Sequence, residues 1–333
     1  MNFDLPQSMR VIRPLKLSRL HVKSVFFLII ALVYGYVVSQ LPDTHFKDFT
    51  NYLVYADRSW DILISYNLRG ALAVFSNEPV WLLINSGLGL YLEPETVVRT
   101  IIFFSASSVA WLILRHYPQY FFVVVLFLLL PQVIKNFLIH LRQGVAIALF
   151  LWGWFSVNRS VRWVLLGLTP FIHSSFFIVL PLLWLSKTMT AIRIDSALRA
   201  IAYCISGLAV VIGLGLVAEM LGARQAEQYA FDAADISGLG FLLWLVLLGI
   251  MVTAGKTYLR EHAFASGLIV FYLVTYWFIE VTARIFESGL IVVLLAGLAL
   301  WGWRKLAFLG IVLGAGMLAW FMRLGLPTLG FAS

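Results

Sequence analysis

Long apolar runs alternate with short polar breaks along the whole chain. Eleven such runs can be marked, at about 24–40, 70–92, 97–114, 118–134, 137–157, 163–186, 200–218, 238–254, 263–280, 288–303 and 306–323. Most approach the ~20 residues that a helix needs to cross a hydrocarbon core about 30 Å thick. Closed membrane barrels are built from short alternating segments, and unbroken runs such as Phe121 to Leu130 do not fit them. The pattern predicts an all-α fold, a polytopic transmembrane helix bundle of about 10–11 membrane segments. Run 70–92 is the weakest. Its apolar part after Pro79 is short and is interrupted by Asn85, Gly87 and Gly89. It either spans or forms a re-entrant or interfacial helix. Pro131 and Lys135 divide the stretch shared by runs 118–134 and 137–157.

Composition agrees. The 333 residues are 62% hydrophobic and 12% charged, with a mean hydropathy of +0.93. A soluble domain is about 25% charged, so lipid is the expected solvent. The net charge of +8 then reads as basic cytoplasmic loops that hold topology, not as a nucleic-acid surface. Arg10, Arg13, Lys16, Arg19 and Lys23 precede the apolar stretch Ser24 to Ser39, and Gln40-Leu41-Pro42-Asp43 offers no small-x-small cleavage site. Residues 1–23 are therefore expected to be a basic cytoplasmic tail and 24–333 one polytopic membrane domain, with an outer loop at about 41–69. A second polar loop falls at about 219–237.

If all eleven runs span and the N-terminus is inside, inner loops hold fourteen Lys and Arg and outer loops nine. If run 70–92 does not span, the counts become eleven and twelve, so the orientation of segments 70–200 stays open. Cys204 is alone and sits in an apolar run, which excludes an internal disulfide. No phosphate-binding glycine loop, H-E-x-x-H, CxxC or G-x-S-x-G is present. Asp43, His45 and Asp48 lack a fourth metal ligand. No metal and no cofactor are expected.

Ionisable groups at membrane depth are costly and mark sites. Arg142, in Leu141-Arg142-Gln143-Gly144, either snorkels to a headgroup or binds a phosphate or carboxylate with its planar fork. His173 follows Pro170, which opens a helix locally. It is either a hydrogen-bonded core histidine or a base facing a wet cavity. Glu280, Arg284 and Glu287 share a helix face at i, i+4, i+7 spacing. They form either an interfacial ion-pair ladder or a ligand-facing arginine held by two carboxylates. Glu78-Pro79 opens an apolar run; Glu78 is either a helix cap or a base.

The order of these residues resembles the EpsG family, a branch of the Wzy-like exopolysaccharide and O-antigen polymerases. The matching elements are Asp48-Phe49-Thr50-Asn51-Tyr52, Glu78-Pro79, Arg142-Gln143-Gly144-Val145-Ala146, His173-Ser174-Ser175 and Arg284-Ile285-Phe286. The run His-Ser-Ser departs from the family, which often has a bulky or basic residue between the histidine and a Ser-Ala. The resemblance spans roughly 25–300. It implies a metal-independent glycosyltransferase in the bacterial cytoplasmic (inner) membrane. Its substrate would be undecaprenyl-diphosphate-linked glycan, polymerised at the outer face, with membrane lipids and a polysaccharide chain-length regulator as partners. Arg142 and Arg284 would neutralise the departing diphosphate, His173 or Glu78 would accept the proton of the attacking hydroxyl, and Gln143, Asp48, Asn51 and Tyr52 would bind diphosphate or sugar. The aromatic side chains of loop 41–69 (Tyr52, Tyr55, Trp60, Tyr66) would stack on sugar faces. Buried Arg, His and Glu beside helix-breaking prolines also suit a transporter or flippase of a polar or lipid-linked solute. A ligase or acyltransferase acting on lipid-linked glycans is the other enzyme reading.

Overall fold

The computed structural model describes residues 17–41, 46, 48–220, 238–278 and 281–331. Sixteen α-helices account for most of these, and no strand occurs among them. In chain order they are α1 (Leu17–Gln40), α2 (Phe49–Leu68), α3 (Ala71–Ser76), α4 (Pro79–Gly89), α5 (Pro94–His116), α6 (Phe121–Leu128), α7 (Pro131–Leu138) and α8 (Leu141–Phe155). These are followed by α9 (Arg159–Leu168), α10 (Phe176–Ala191), α11 (Ser196–Met220), α12 (Leu239–Thr253), α13 (Lys256–Glu261), α14 (Ala263–Thr275), α15 (Val281–Leu298) and α16 (Gly302–Arg323). The protein is an all-α helical membrane bundle. By length and apolarity α5, Ser196–Gly213 of α11, and α16 can each cross a bilayer alone. The stretch Pro118–Leu128 forms a fourth candidate with α7, bent by 68° at the break before Pro131.

Three stretches differ from the hydropathy reading. Residues 41–69, expected as a loop, hold the 20-residue helix α2. Its buried Tyr52, Tyr55, Ala56 and Ser59 recur at helical spacing while Asp57, Arg58 and Asp61 stay exposed. Run 70–92 is two short helices, because Gly70 (φ 110°) and Glu78 (φ 58°) take left-handed backbone that no helix continues. Run 163–186 is divided by Pro170. A 3₁₀ turn at Thr169–Phe171 ends α9, and α10 starts anew at Phe176. The basic tail is described only from Leu17, and the 219–237 loop lies outside the described residues beyond Met220.

Where runs are continuous, packing is close and the outward face is oily. Gly35 of α1 lies against Ser107 Oγ and the Phe103 carbonyl of α5, leaving no space for a Cβ. Small residues of this kind let membrane helices approach closely. Val25, Ile29, Val33 and Val37 make an exposed stripe at i, i+4 spacing on the other side of α1, which is the surface hydrocarbon would cover.

Contacts between helix ends sort them into two groups. At one end, Phe26 and Phe27 meet Phe121, Lys305 reaches Tyr120, and His116 stacks on Phe155. Arg304 bonds Thr253, Tyr258 bonds the Ala296 carbonyl, and Arg199 bonds the Leu259 carbonyl at the same end. At the opposite end Arg99 bonds the Ser39 carbonyl, Trp320 bonds the Leu129 carbonyl, and Tyr276 meets Phe241. Helices α9 and α10 form a hairpin that starts and finishes at the first end, where Lys187 of α10 lies over Trp163 of α9. Its tip reaches the other group of helix ends, and the polar cluster described next is built there.

Candidate functional site

The cluster is assembled from chain breaks. Between α7 and α8, His140 takes a non-helical conformation (φ −105°, ψ 53°), so nearby backbone groups lack helical partners. Tyr52, in the first turn of α2, supplies them. Its hydroxyl donates to the Ile139 carbonyl (2.7 Å) and accepts from the Leu141 amide (3.0 Å). Gly144 closes the corner, since a Cβ there would meet the Asn136 carbonyl. Arg142 is thereby fixed in the first turn of α8.

Glu78 sits between α3 and α4 in left-handed backbone, with Pro79 opening α4. It holds the N-cap position of α4, but its side chain makes no capping bond. One carboxylate oxygen pairs with Arg142 Nη1. The other accepts from the Ser174 amide at 3.0 Å and lies 3.1 Å from His173 Nδ1. Pro170 and the turn after it leave that amide free to donate. With side-chain exposures of 3% for Glu78 and 19% for Arg142, the arginine does not snorkel to a headgroup; it is partnered inside the protein. The Tyr52 and Tyr55 rings stand edge-on to buried Trp81, and the Arg142 guanidinium lies 5.7 Å from the Tyr55 ring centre.

His173 is at the hairpin tip, not mid-helix. A carboxylate already bound to a guanidinium is an acceptor only. The proton on the imidazole is therefore assigned to Nδ1, leaving Nε2 with its lone pair. Nε2 is buried and has no hydrogen-bond partner among the described residues. The following serine, Ser175, reaches Ser288 Oγ on α15 at 2.8 Å.

Gln143 is fully buried. Its Nε2 donates to the Arg284 carbonyl (2.8 Å) and to Ser288 Oγ (3.1 Å), so it anchors the first turns of α15 and leaves Arg284 free to face the cluster. Of the Glu280–Arg284–Glu287 ladder, the Arg284–Glu287 pair does not form. Glu280 lies outside the described residues, and Glu287 pairs with Lys135 of α7 at 3.3 Å. The Arg284 side chain has no ion-pair or hydrogen-bond partner among the described residues. Asp48 and Asn51 pair with each other (3.3 Å) at the exposed start of α2, outside this network. Asp43 and His45 lie outside the described residues.

Tyr52, Glu78, Arg142, Gln143, His173 and Arg284 thus meet at one place, although they span more than two hundred positions. Sequence reasoning missed Lys135, His140 and Ser288. Only Ser288 had a signal, four residues after Arg284 on the same helix face. The arrangement offers a lone-pair nitrogen on an oriented imidazole beside guanidinium groups. It can accept a proton while neutralising an anion. Residues 22–322 match the model described as the EpsG family. No curated protein and no solved structure matches the chain.

Proposed function

The chain belongs to the EpsG family, a Wzy-like polymerase family, and from that premise we propose that it joins oligosaccharide repeat units carried on undecaprenyl diphosphate. The reaction is a glycosyl transfer at the outer face of the bacterial cytoplasmic membrane. The observation that carries this reading is the Glu78–Arg142–His173 cluster with Arg284, which has no partner among the described residues, beside it.

In the proposed step the terminal hydroxyl of the incoming unit attacks the anomeric carbon of the growing chain. Its proton passes to His173 Nε2, and the bond from that carbon to the lipid diphosphate breaks. The Glu78 carboxylate holds Nδ1–H and favours the imidazolium that forms. Glu78 therefore acts through His173 and is not itself the base. Arg142 and Arg284 neutralise the leaving diphosphate with fork geometry. Because guanidinium groups take that charge, polymerisation is expected to persist in EDTA. Exposed Asp48 and Asn51 suit sugar hydroxyls beyond the reacting bond.

Charge supports an outward-facing site. Among described side chains, the end away from the cluster carries ten cations (Arg115, Arg159, Arg162, Lys187, Arg193, Arg199, Lys256, Arg260, Arg304 and Lys305) against Asp195 and Glu261. The cluster end carries seven of each sign: Arg58, Arg69, Arg99, Lys135, Arg142, Arg284 and Arg323 against Asp48, Asp57, Asp61, Glu78, Glu93, Glu95 and Glu287. Cytoplasmic loops hold the excess of Lys and Arg, which supports a cytoplasmic placement of the first end and of the start of α1. A path in which run 70–92 is no crossing and the α9–α10 hairpin returns to the side it left is compatible with that orientation.

The test is a deletion strain complemented with wild type, Arg142→Ala or His173→Ala, with protein levels in the membrane checked. Single repeat units at the surface, and a ladder restored by wild type alone, support the polymerase. Repeat units trapped inside the cell favour a transporter instead, and full ladders from both variants overturn the assignment of the site.

A further inference from the structure

Glu287 is an odd partner for Lys135. The pair is made by one carboxylate oxygen, Oε1, at 3.3 Å, and Oε2 is buried with no hydrogen bond among the described residues. A half-satisfied carboxylate of this kind costs desolvation without full compensation. Arg284, one turn earlier on α15, has no carboxylate partner among the described residues although Glu287 is three positions away. Around His140, within electrostatic reach, stand Lys135, Arg284, His173 and Arg142. Among the described residues, three full cations (Lys135, Arg142 and Arg284) therefore face two carboxylates (Glu78 and Glu287). Arg142 is matched by Glu78 and buried with it. Lys135, with a side chain 31% exposed, is held by Glu287 alone among the described carboxylates.

We propose that Glu287 is a built-in competitor for the diphosphate: it occupies Lys135 while the site is empty and yields Lys135 to the phosphate oxygens of the lipid-linked substrate. Lys135 and Arg284 then form a two-cation cradle. A carboxylate and a phosphate present similar acceptor oxygens to an ammonium group, but a diphosphate carries more charge and more acceptors. It therefore displaces the weakly held Glu287, while a neutral sugar or monoanionic headgroup does not. The competitor raises selectivity for diphosphate and speeds departure of the product lipid, at a cost in affinity. This inference rests on the polymerase reading for the identity of the anion, not for the existence of the cradle.

The experiment measures binding of farnesyl diphosphate and farnesyl monophosphate to the purified full chain in phosphatidylcholine nanodiscs. Glu287→Gln is expected to bind the diphosphate about tenfold tighter, the scale of one charge-assisted contact, with a larger gain for the monophosphate, because selectivity falls when the competitor is removed. Lys135→Ala is expected to weaken binding about tenfold and to cancel the gain in the double variant. Unchanged affinity in Glu287→Gln, or a gain that survives loss of Lys135, overturns the proposal. So does failure of wild type and every variant to bind the diphosphate. Thermal unfolding checks that the variants fold. If Glu287→Gln does not, Glu287→Asp, which withdraws the carboxylate by one methylene, is expected to show part of the gain, and none would again overturn it. If the binding pattern holds while the deletion strain polymerises normally, the cradle stands and the polymerase reading falls.

Discussion

Helices α1 and α5 run side by side without a break, with Gly35 seated against Ser107 and the Phe103 carbonyl. The α9–α10 hairpin instead stops at Pro170, turns, and goes back. In the first region mid-helix amides and carbonyls are satisfied within their own helices, so most side chains there serve packing. In the second, and at the α3–α4 and α7–α8 breaks, backbone groups are released. These hold the polar side chains: the Ser174 amide grips Glu78, while the Leu141 amide and Ile139 carbonyl grip Tyr52. The contrast teaches that an intramembrane site needs interrupted helices for their loose ends as much as for the space they open.

Four substitutions probe that contrast. Glu78→Gln strikes the broken region hardest, since it removes the partner of both Arg142 and His173. Polymerisation in membrane vesicles should fall about 10²–10⁴-fold, with the protein still present. Arg142→Lys keeps the charge and loses the planar fork; a fall of about 10²-fold is expected in the same assay, and wild-type rates would mean that charge alone suffices. Tyr52→Phe leaves the Leu141 amide and Ile139 carbonyl without their bridge. It should cost about 1–3 kcal/mol by thermal unfolding, with a smaller loss of turnover. Gly35→Val tests the unbroken region. Overpacking should cost about 1–3 kcal/mol of stability while turnover per folded molecule stays at the wild-type level. A kinetic defect there would erase the distinction between the two regions.

Hydropathy made the helix bundle legible, because apolar runs of this length have few alternatives in lipid. It misjudged α2, whose Asp57, Arg58 and Asp61 sit on an exposed face and mask a helical recurrence of buried aromatics. It also could not separate α9 from α10, since Leu, Phe and Pro score alike whether a chain continues or turns. Within the site, residue types at depth pointed to Glu78, Arg142, His173 and Arg284. Their partners were not legible. Glu78 stands at a helix start as expected, but its left-handed backbone aims the carboxylate across to Arg142. Glu287 was expected to face Arg284, yet its partner lies 152 positions away on α7. Gln143 was expected to meet substrate, and it turns inward to α15. Such choices depend on tertiary approach, which no local spacing encodes.

The hairpin has one more consequence. Its two legs enter from the same side, so the position of His173 is set by how far they reach, and a helix advances about 1.5 Å per residue. Lengthening or trimming both legs together would raise or lower the imidazole like a plunger without altering a single side chain at the tip. In the proposed reaction, the depth of the transfer step thus becomes a dimension that insertion and deletion can tune, independently of the chemistry.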